Sequence, residues 1–240
     1  MVEIAIALPM LLILLSGLLE FGFVLNEFMT LQDAARNAAR FSSDSDYKTA
    51  DPVGVCDSIS QPFPYQACCS ATRDFYRQTA CLVNREITLA APDVTLACYV
   101  MGANNRCEYG AIDPNLGDTG RRNDIVISVF SVLQGSPPQI LRFPFASTGN
   151  GGESGWSYSQ EYVGYGGLRN QNSRFSSTEV QGLLNSNAPS TGYVLVEIFY
   201  NYDQKLKLPW ITAFVNDPIL LHTYAFMPLV SAEPTPTPIP

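Results

Sequence analysis

The sequence predicts an α+β protein: a long N-terminal membrane and stalk helix, then a mostly antiparallel β-sheet domain with one or two packed helices, stapled by disulfides. The helix is predicted by an apolar run with no Lys or Arg before Arg36. The sheet is predicted by several runs rich in β-branched and aromatic residues. The staples are predicted by six cysteines, all downstream of the apolar run. The expected division is 1–43 for the helix, 44–232 for the domain and 233–240 for a Pro/Thr-rich tail.

Between Glu3 and Glu20 no charge interrupts residues 4–19, which contain LPMLLILLSGLL. As a helix this stretch spans about 24 Å, slightly short of a bilayer core of about 30 Å. Including residues 21–25 brings the length into range and sets Glu20 inside or at the edge of the apolar layer. A carboxylate there is costly and calls for a functional explanation. Pro9 removes one helical hydrogen bond, which membrane helices tolerate. Beyond Glu20, Phe21, Val24, Phe28, Leu31, Ala35 and Ala38 form an apolar stripe at steps of three and four. Asn26, Glu27, Asp33, Arg36 and Arg40 are expected on the other faces. The small residues Ala34, Ala35, Ala38 and Ala39 permit close approach of another helix. A continuous helix over 4–41 would be about 57 Å long, so its second half would project out of the membrane.

Residues 51–64 read as a proline-containing loop, and 65–85 (YQACCSATRDFYRQTACLVNR) as a helix. On one helix Cys81 lies too far from Cys68 and Cys69 to bond with either. Cys56 is then a natural partner for one of the vicinal pair, and Cys98 and Cys107 bracket a turn they would staple. Fifteen pairings of six cysteines remain open. No CxxC spacing occurs, so no zinc site is expected. Residues 86–91 and 94–101 read as strands.

The clearest strand is 124–133 (DIVISVFSVL), with 140–145 as its partner inside an otherwise Gly-, Ser- and Pro-rich exposed segment, 135–155. A short helix over 177–184 is capped by Ser177, with Glu179 near its start. Residues 193–202 and 219–229 are two further strands, joined by a long aromatic connection over 205–217 that holds Pro209, Trp210 and Phe214.

A net charge of −8 argues against a nucleic-acid backbone as partner. The sole histidine, His222, sits in an apolar strand and reads as packed or surface-facing. No nucleophile elbow, P-loop, HExxH or dinucleotide glycine pattern occurs. The segment 113–118 has calcium-loop character but lacks the later ligands, so a solvated turn is expected. No enzyme, metal site or cofactor is expected.

Val2-Glu3-Ile4-Ala5, Leu8-Pro9, Glu20-Phe21-Gly22 and Ala34-Ala35-Arg36-Asn37-Ala38-Ala39-Arg40, in that order and spacing, resemble the TadE-like family. These are the pilin-like proteins of the tight-adherence (Tad) pilus, a branch of the type IV pilus superfamily. The resemblance covers about 40 residues; 124–133 and 193–217 also look like soluble parts of Tad-associated proteins. It implies an exported, single-pass protein trimmed by a prepilin peptidase, with an extracytoplasmic domain at the cell surface or in an extracellular pilus. It also implies other pilin or pilin-like subunits, an assembly platform and membrane lipid as partners. Glu3 matches the acidic residue that meets a neighbour's N-terminal amine during assembly, and Glu20 and Pro9 belong to the same assembly segment. Two departures stand at the start: no basic leader or glycine precedes the expected cut, and Glu3 lies nearer residue 1 than the family pattern places it.

A pilin-like structural or assembly subunit is therefore the first expectation. The competing one is an anchored surface binding module or adhesin that does not polymerise. In that reading the glycine-rich loops 149–155 and 164–167, with Tyr158, Tyr162 and Tyr165, would carry the ligand contacts.

Overall fold

The computed structural model describes residues 2–44, 75–90, 100–101, 107–109, 123–145, 151–158, 160, 171–184 and 190–229. Outside them lie Cys56, Cys68, Cys69 and Cys98, and with these the disulfide assignments. The 51–64 loop, the calcium-like segment, the loop 164–167 and the 233–240 tail lie outside as well.

Helix α1 (Val2–Ser42) is one continuous run of 41 residues that carries Pro9 inside it. Its two halves differ in surroundings. Among the described residues, 7–19 bury no face: Leu8, Met10, Leu11, Leu14 and Leu18 are all more than half exposed. The helix is long and apolar enough to cross a membrane, with mean hydropathy 2.2 over its most apolar window. From Glu20 onward one face is buried, through Glu27, Leu31, Ala34, Ala35, Ala38, Ala39 and Ser42. That face rests on helix α2 (Phe75–Ala90) and on the sheet.

A small antiparallel pair, β1 (Val100–Met101) and β2 (Cys107–Tyr109), stands apart from the main sheet. The main sheet has the order β4-β3-β6-β7 and is antiparallel throughout. Its strands are β3 (Asp124–Leu133), β4 (Gln139–Phe143), β6 (Thr191–Tyr202) and β7 (Ile219–Leu229). A short strand, β5 (Trp156–Ser157), pairs with β3 beyond the end of β4.

Strand alternation sorts the sheet into two unlike faces. The pairs Ile125–Ile198, Ile127–Val196 and Val129–Val194 present the apolar face to α1 and α2. The opposite face pairs Val126 with Glu197 and Ser128 with Leu195, and carries a smaller apolar cluster of Phe130, Val180 and Leu195. It also buries Asp124, Arg142 and Glu197, each at most 5% exposed. These charges tie down the covering segment. Asp124 accepts from Ser157 Oγ at 2.7 Å and from the Gln171 amide at 3.2 Å. Glu197 accepts from the Arg174 amide at 2.9 Å, from the Ser173 hydroxyl, and lies 3.1 Å from His222 Nε2.

The covering segment includes a 3-10 turn (Gly152–Ser154) and helix α3 (Ser177–Leu183). Gly155, at φ 73, lies so close to β3 that a Cβ would come within 2.6 Å of Ser128 Oγ. Glu153 bonds the first residue of α3, accepting from the Ser177 amide at 2.8 Å and its hydroxyl at 2.6 Å. Burial opposes ionisation of Glu153, but these bonds and the Arg142 guanidinium outweigh it and lower its pKa. A depressed carboxylate stabilises the fold above its ordinary range, and that stabilisation is lost as pH falls through the folded-state value. Because the side chain is well exposed, screening keeps the effect to about 0.5–1 kcal/mol. Glu153→Gln is expected to lower the urea midpoint at neutral pH, with the gap to wild type narrowing as pH falls below the ordinary carboxylate range.

Three sequence expectations are corrected. Residues 86–90 continue α2 rather than forming a strand: Phe75, Thr79, Ala80, Val83 and Ile87 make one buried helical stripe, and packing overrides the β propensity of Ile87, Thr88 and Leu89. The cap of α3 is Ser176, whose hydroxyl and amide form a capping box with Glu179; Ser177 is the first helical residue. The segment 135–155 holds the expected partner strand as β4, but it is not exposed throughout, since Gly151 is buried. Strand β4 ends at Phe143 because Pro144 has no amide to continue the ladder.

Candidate assembly helix and its docking site

The candidate site is α1 together with the chain segment that grips it. Glu20 is 4% exposed and accepts three hydrogen bonds from the end of β6 and the turn beyond it. Tyr202 Oη donates to Oε1 at 2.8 Å, the Lys205 amide donates to Oε1 at 2.8 Å, and the Leu206 amide donates to Oε2 at 2.9 Å. Two successive backbone amides and a phenol thus enclose one carboxylate, which meets the cost of burying its charge. Burial and the adjacent carboxylate push the Tyr202 phenol well above its ordinary pKa, so it stays a donor.

Two turns along, Glu27 is 7% exposed and pairs through Oε1 with Lys205 Nζ at 3.1 Å. Lys205 therefore engages α1 twice, by its amide and by its ammonium. Below Glu20, Trp210 Nε1 donates to Ser16 Oγ at 3.1 Å from the short helix α4 (Pro209–Thr212). At the far end, the Ser42 and Thr79 hydroxyls meet at 2.5 Å between α1 and α2. Between these ends the contact with α2 and the sheet runs over Leu31 and the four alanines, whose small size lets α1 lie close.

The residues read from sequence are distributed as follows. Leu31, Ala35 and Ala38 are buried, Val24 and Phe28 are half-buried, and Phe21 is 63% exposed. The packed face thus passes through Glu20 rather than Phe21, and Glu27 lies on it rather than on another face. Glu3 and Pro9 lie on the part of α1 before Glu20, and Pro9 is exposed. Cys81 is buried on α2 and Cys107 lies in β2. Of the loop residues invoked for ligand binding, Tyr158 is 2% exposed beside Trp156, while Tyr162 and Tyr165 lie outside the described residues. His222 is packed between Phe199 and Tyr224.

Sequence reasoning missed Glu27, Tyr202, Lys205, Leu206, Ser16 and Trp210. One local signal existed: Glu20 and Glu27 are seven residues apart, two helical turns on the same face. Their partners are more than 170 residues away in the chain, and no local pattern announces them.

Searches of curated proteins and of solved structures return no match. Residues 1–40 match the family model TadE, described as TadE-like protein, so the similarity falls on the helix that carries Glu3, Pro9 and Glu20.

Proposed function

We propose that this chain is a pilin-like structural or assembly subunit of a Tad-type pilus, held in the membrane by α1 with its domain on the extracytoplasmic side. In this reading the first half of α1 packs against the same segment of neighbouring subunits. The observation that carries the reading is the asymmetry of α1: residues 7–19 bury no face, while the second half is fixed to the chain's own sheet. An apolar helix left free over most of its circumference, with only Ser16 and Gly17 half-covered, is suited first to lipid and then to other helices. The TadE-like match over this same segment supports the choice of a pilus.

The assembly residue in this reading is Glu3. The Glu20 carboxylate is already engaged by Tyr202, Lys205 and Leu206 of its own chain. Glu3 is the one other acidic residue in the first 20. A carboxylate entering a bundle of apolar helices needs a cation, and a neighbouring subunit's N-terminal amine is of the right chemistry. Glu3→Ala is expected to leave the chain in the membrane fraction while fibres sheared from cells vanish. Fibres of normal number and length in that variant would overturn the assignment. Mass spectrometry of wild-type fibres separates a bulk subunit from a minor, priming one.

A further inference from the structure

The connection between β6 and β7 carries a feature that the grip on Glu20 does not require. Residues 208–215 (LPWITAFV) hold no charge and expose Trp210 at 40%, Phe214 at 90% and Val215 at 41%. Lys207 and Asp217 bracket the loop, and their side chains approach to 3.9 Å at its base. Gln204 closes the same base, its amide donating to Asp217 and its side chain to the Val215 carbonyl at 3.2 Å.

We infer that this loop inserts into the headgroup–acyl boundary of the bilayer beside α1, as an interfacial foot that fixes how deep the sheet sits. The inference rests on reading α1 as a membrane helix, and three observations carry it. First, the loop touches α1 within its exposed apolar stretch. The Trp210–Ser16 bond sets the indole one turn inside Glu20, at the level where the uncharged run ends. Tryptophan at such a depth matches the preference of indole rings for the membrane interface.

Second, the amides from Ile211 to Val215 are all satisfied from within the loop, which lowers the cost of its entering lipid. The amides of Ile211 and Thr212 donate to the Leu208 carbonyl, that of Ala213 to Pro209, and those of Phe214 and Val215 to Ile211. Pro209 has no amide to satisfy, and the Thr212 hydroxyl turns back to the Pro209 carbonyl at 3.2 Å. Third, the flanking ions mark the edge: Lys205, Lys207 and Asp217 all stand at the base of the loop and none at its tip. A bilayer suits this surface better than a second copy of the chain, because the patch meets α1 at Ser16, within its exposed apolar stretch.

The protein's two tryptophans make the test direct, since Trp156 is 5% exposed inside the domain and serves as an internal reference. The full chain is reconstituted in phosphatidylcholine–phosphatidylglycerol vesicles bearing bromine on the acyl chains, and tryptophan emission is compared with unbrominated vesicles. The expected result is a loss of roughly half the emission, removed by Trp210→Phe, with Trp156 unaffected. Phe214→Asp is expected to reduce the quenching of Trp210 at least about twofold while the chain still floats with the vesicles. If the chain floats but Trp210 is quenched by aqueous acrylamide and not by bromolipid, the foot is wrong and the membrane helix stands. If neither quencher reaches Trp210 and cross-linking traps dimers, a second copy covers the loop and the inference fails. If the chain does not float at all, the membrane reading falls and the foot with it.

Discussion

Glu20→Ala is expected to destabilise the attachment of the sheet to α1 by about 3 kcal/mol, because it leaves three donors, one buried and two half-buried, without an acceptor. Those donors are Tyr202 Oη and the amides of Lys205 and Leu206. The loss also strips the connection between β6 and β7 of its anchor, so protease cleavage over 203–217 should accelerate before the sheet itself unfolds. Glu20→Gln should fall between. The amide oxygen can take the place of Oε1 and accept from Tyr202 and Lys205, but its NH2 then faces the Leu206 amide, donor to donor. Urea unfolding of the three proteins in detergent, followed by intrinsic fluorescence, gives the ranking. A glutamine variant as unstable as the alanine one would mean that charge, rather than acceptor geometry, dominates the site.

The second large effect is expected on the opposite side of the sheet. Arg142 reaches from β4 across the second face, where Nη1 donates to the carbonyls of Glu153 and Phe175 at 2.6 Å each and Nη2 donates to Ser128 Oγ at 2.7 Å. Its guanidinium also lies 4.9 Å from the centre of the Phe130 ring. Burial pulls the guanidinium's pKa down, while the Glu153 and Glu197 carboxylates oppose that shift. Arg142→Ala should cost about 3–5 kcal/mol, since it leaves one buried and two half-buried acceptors unpaired and opens a cavity over Phe130. Arg142→Lys should recover only part, because one ammonium cannot serve three acceptors laid out for a planar fork. Urea midpoints measure the loss, and amide exchange over 171–184 localises it.

Much of the fold was legible because the strongest elements announce themselves locally. Strands β3 and β7 run over the stretches their β-branched and aromatic residues mark, and α1 over its apolar run. The errors fall where a local preference met a non-local partner. Ile87 favours a strand by type but is held in α2 by the core. Ser176 was identifiable, since it stands three residues before Glu179 in the capping-box spacing, but its neighbour Ser177 looks the same by type alone. The stripe on α1 was drawn through apolar residues; Leu31, Ala35 and Ala38 are buried as drawn, but at its start Glu20 is buried in place of Phe21, because the buried face opens on a carboxylate. Glu20 stood out as costly, but what offsets that cost comes from residues 202–206, and only the closed fold brings them to it.

The two ends of the α1 seam have a mechanical consequence. Glu20 and Ser42 lie about 33 Å apart along the helix, each bonded across to the domain, with the alanine contact between them. A pull on the sheet directed along α1 loads both ends together, in shear, and every contact between them must yield at nearly the same extension. A pull across the axis at either end would instead peel the seam one contact at a time. The attachment is therefore anisotropic: stiff along the helix, weaker across it.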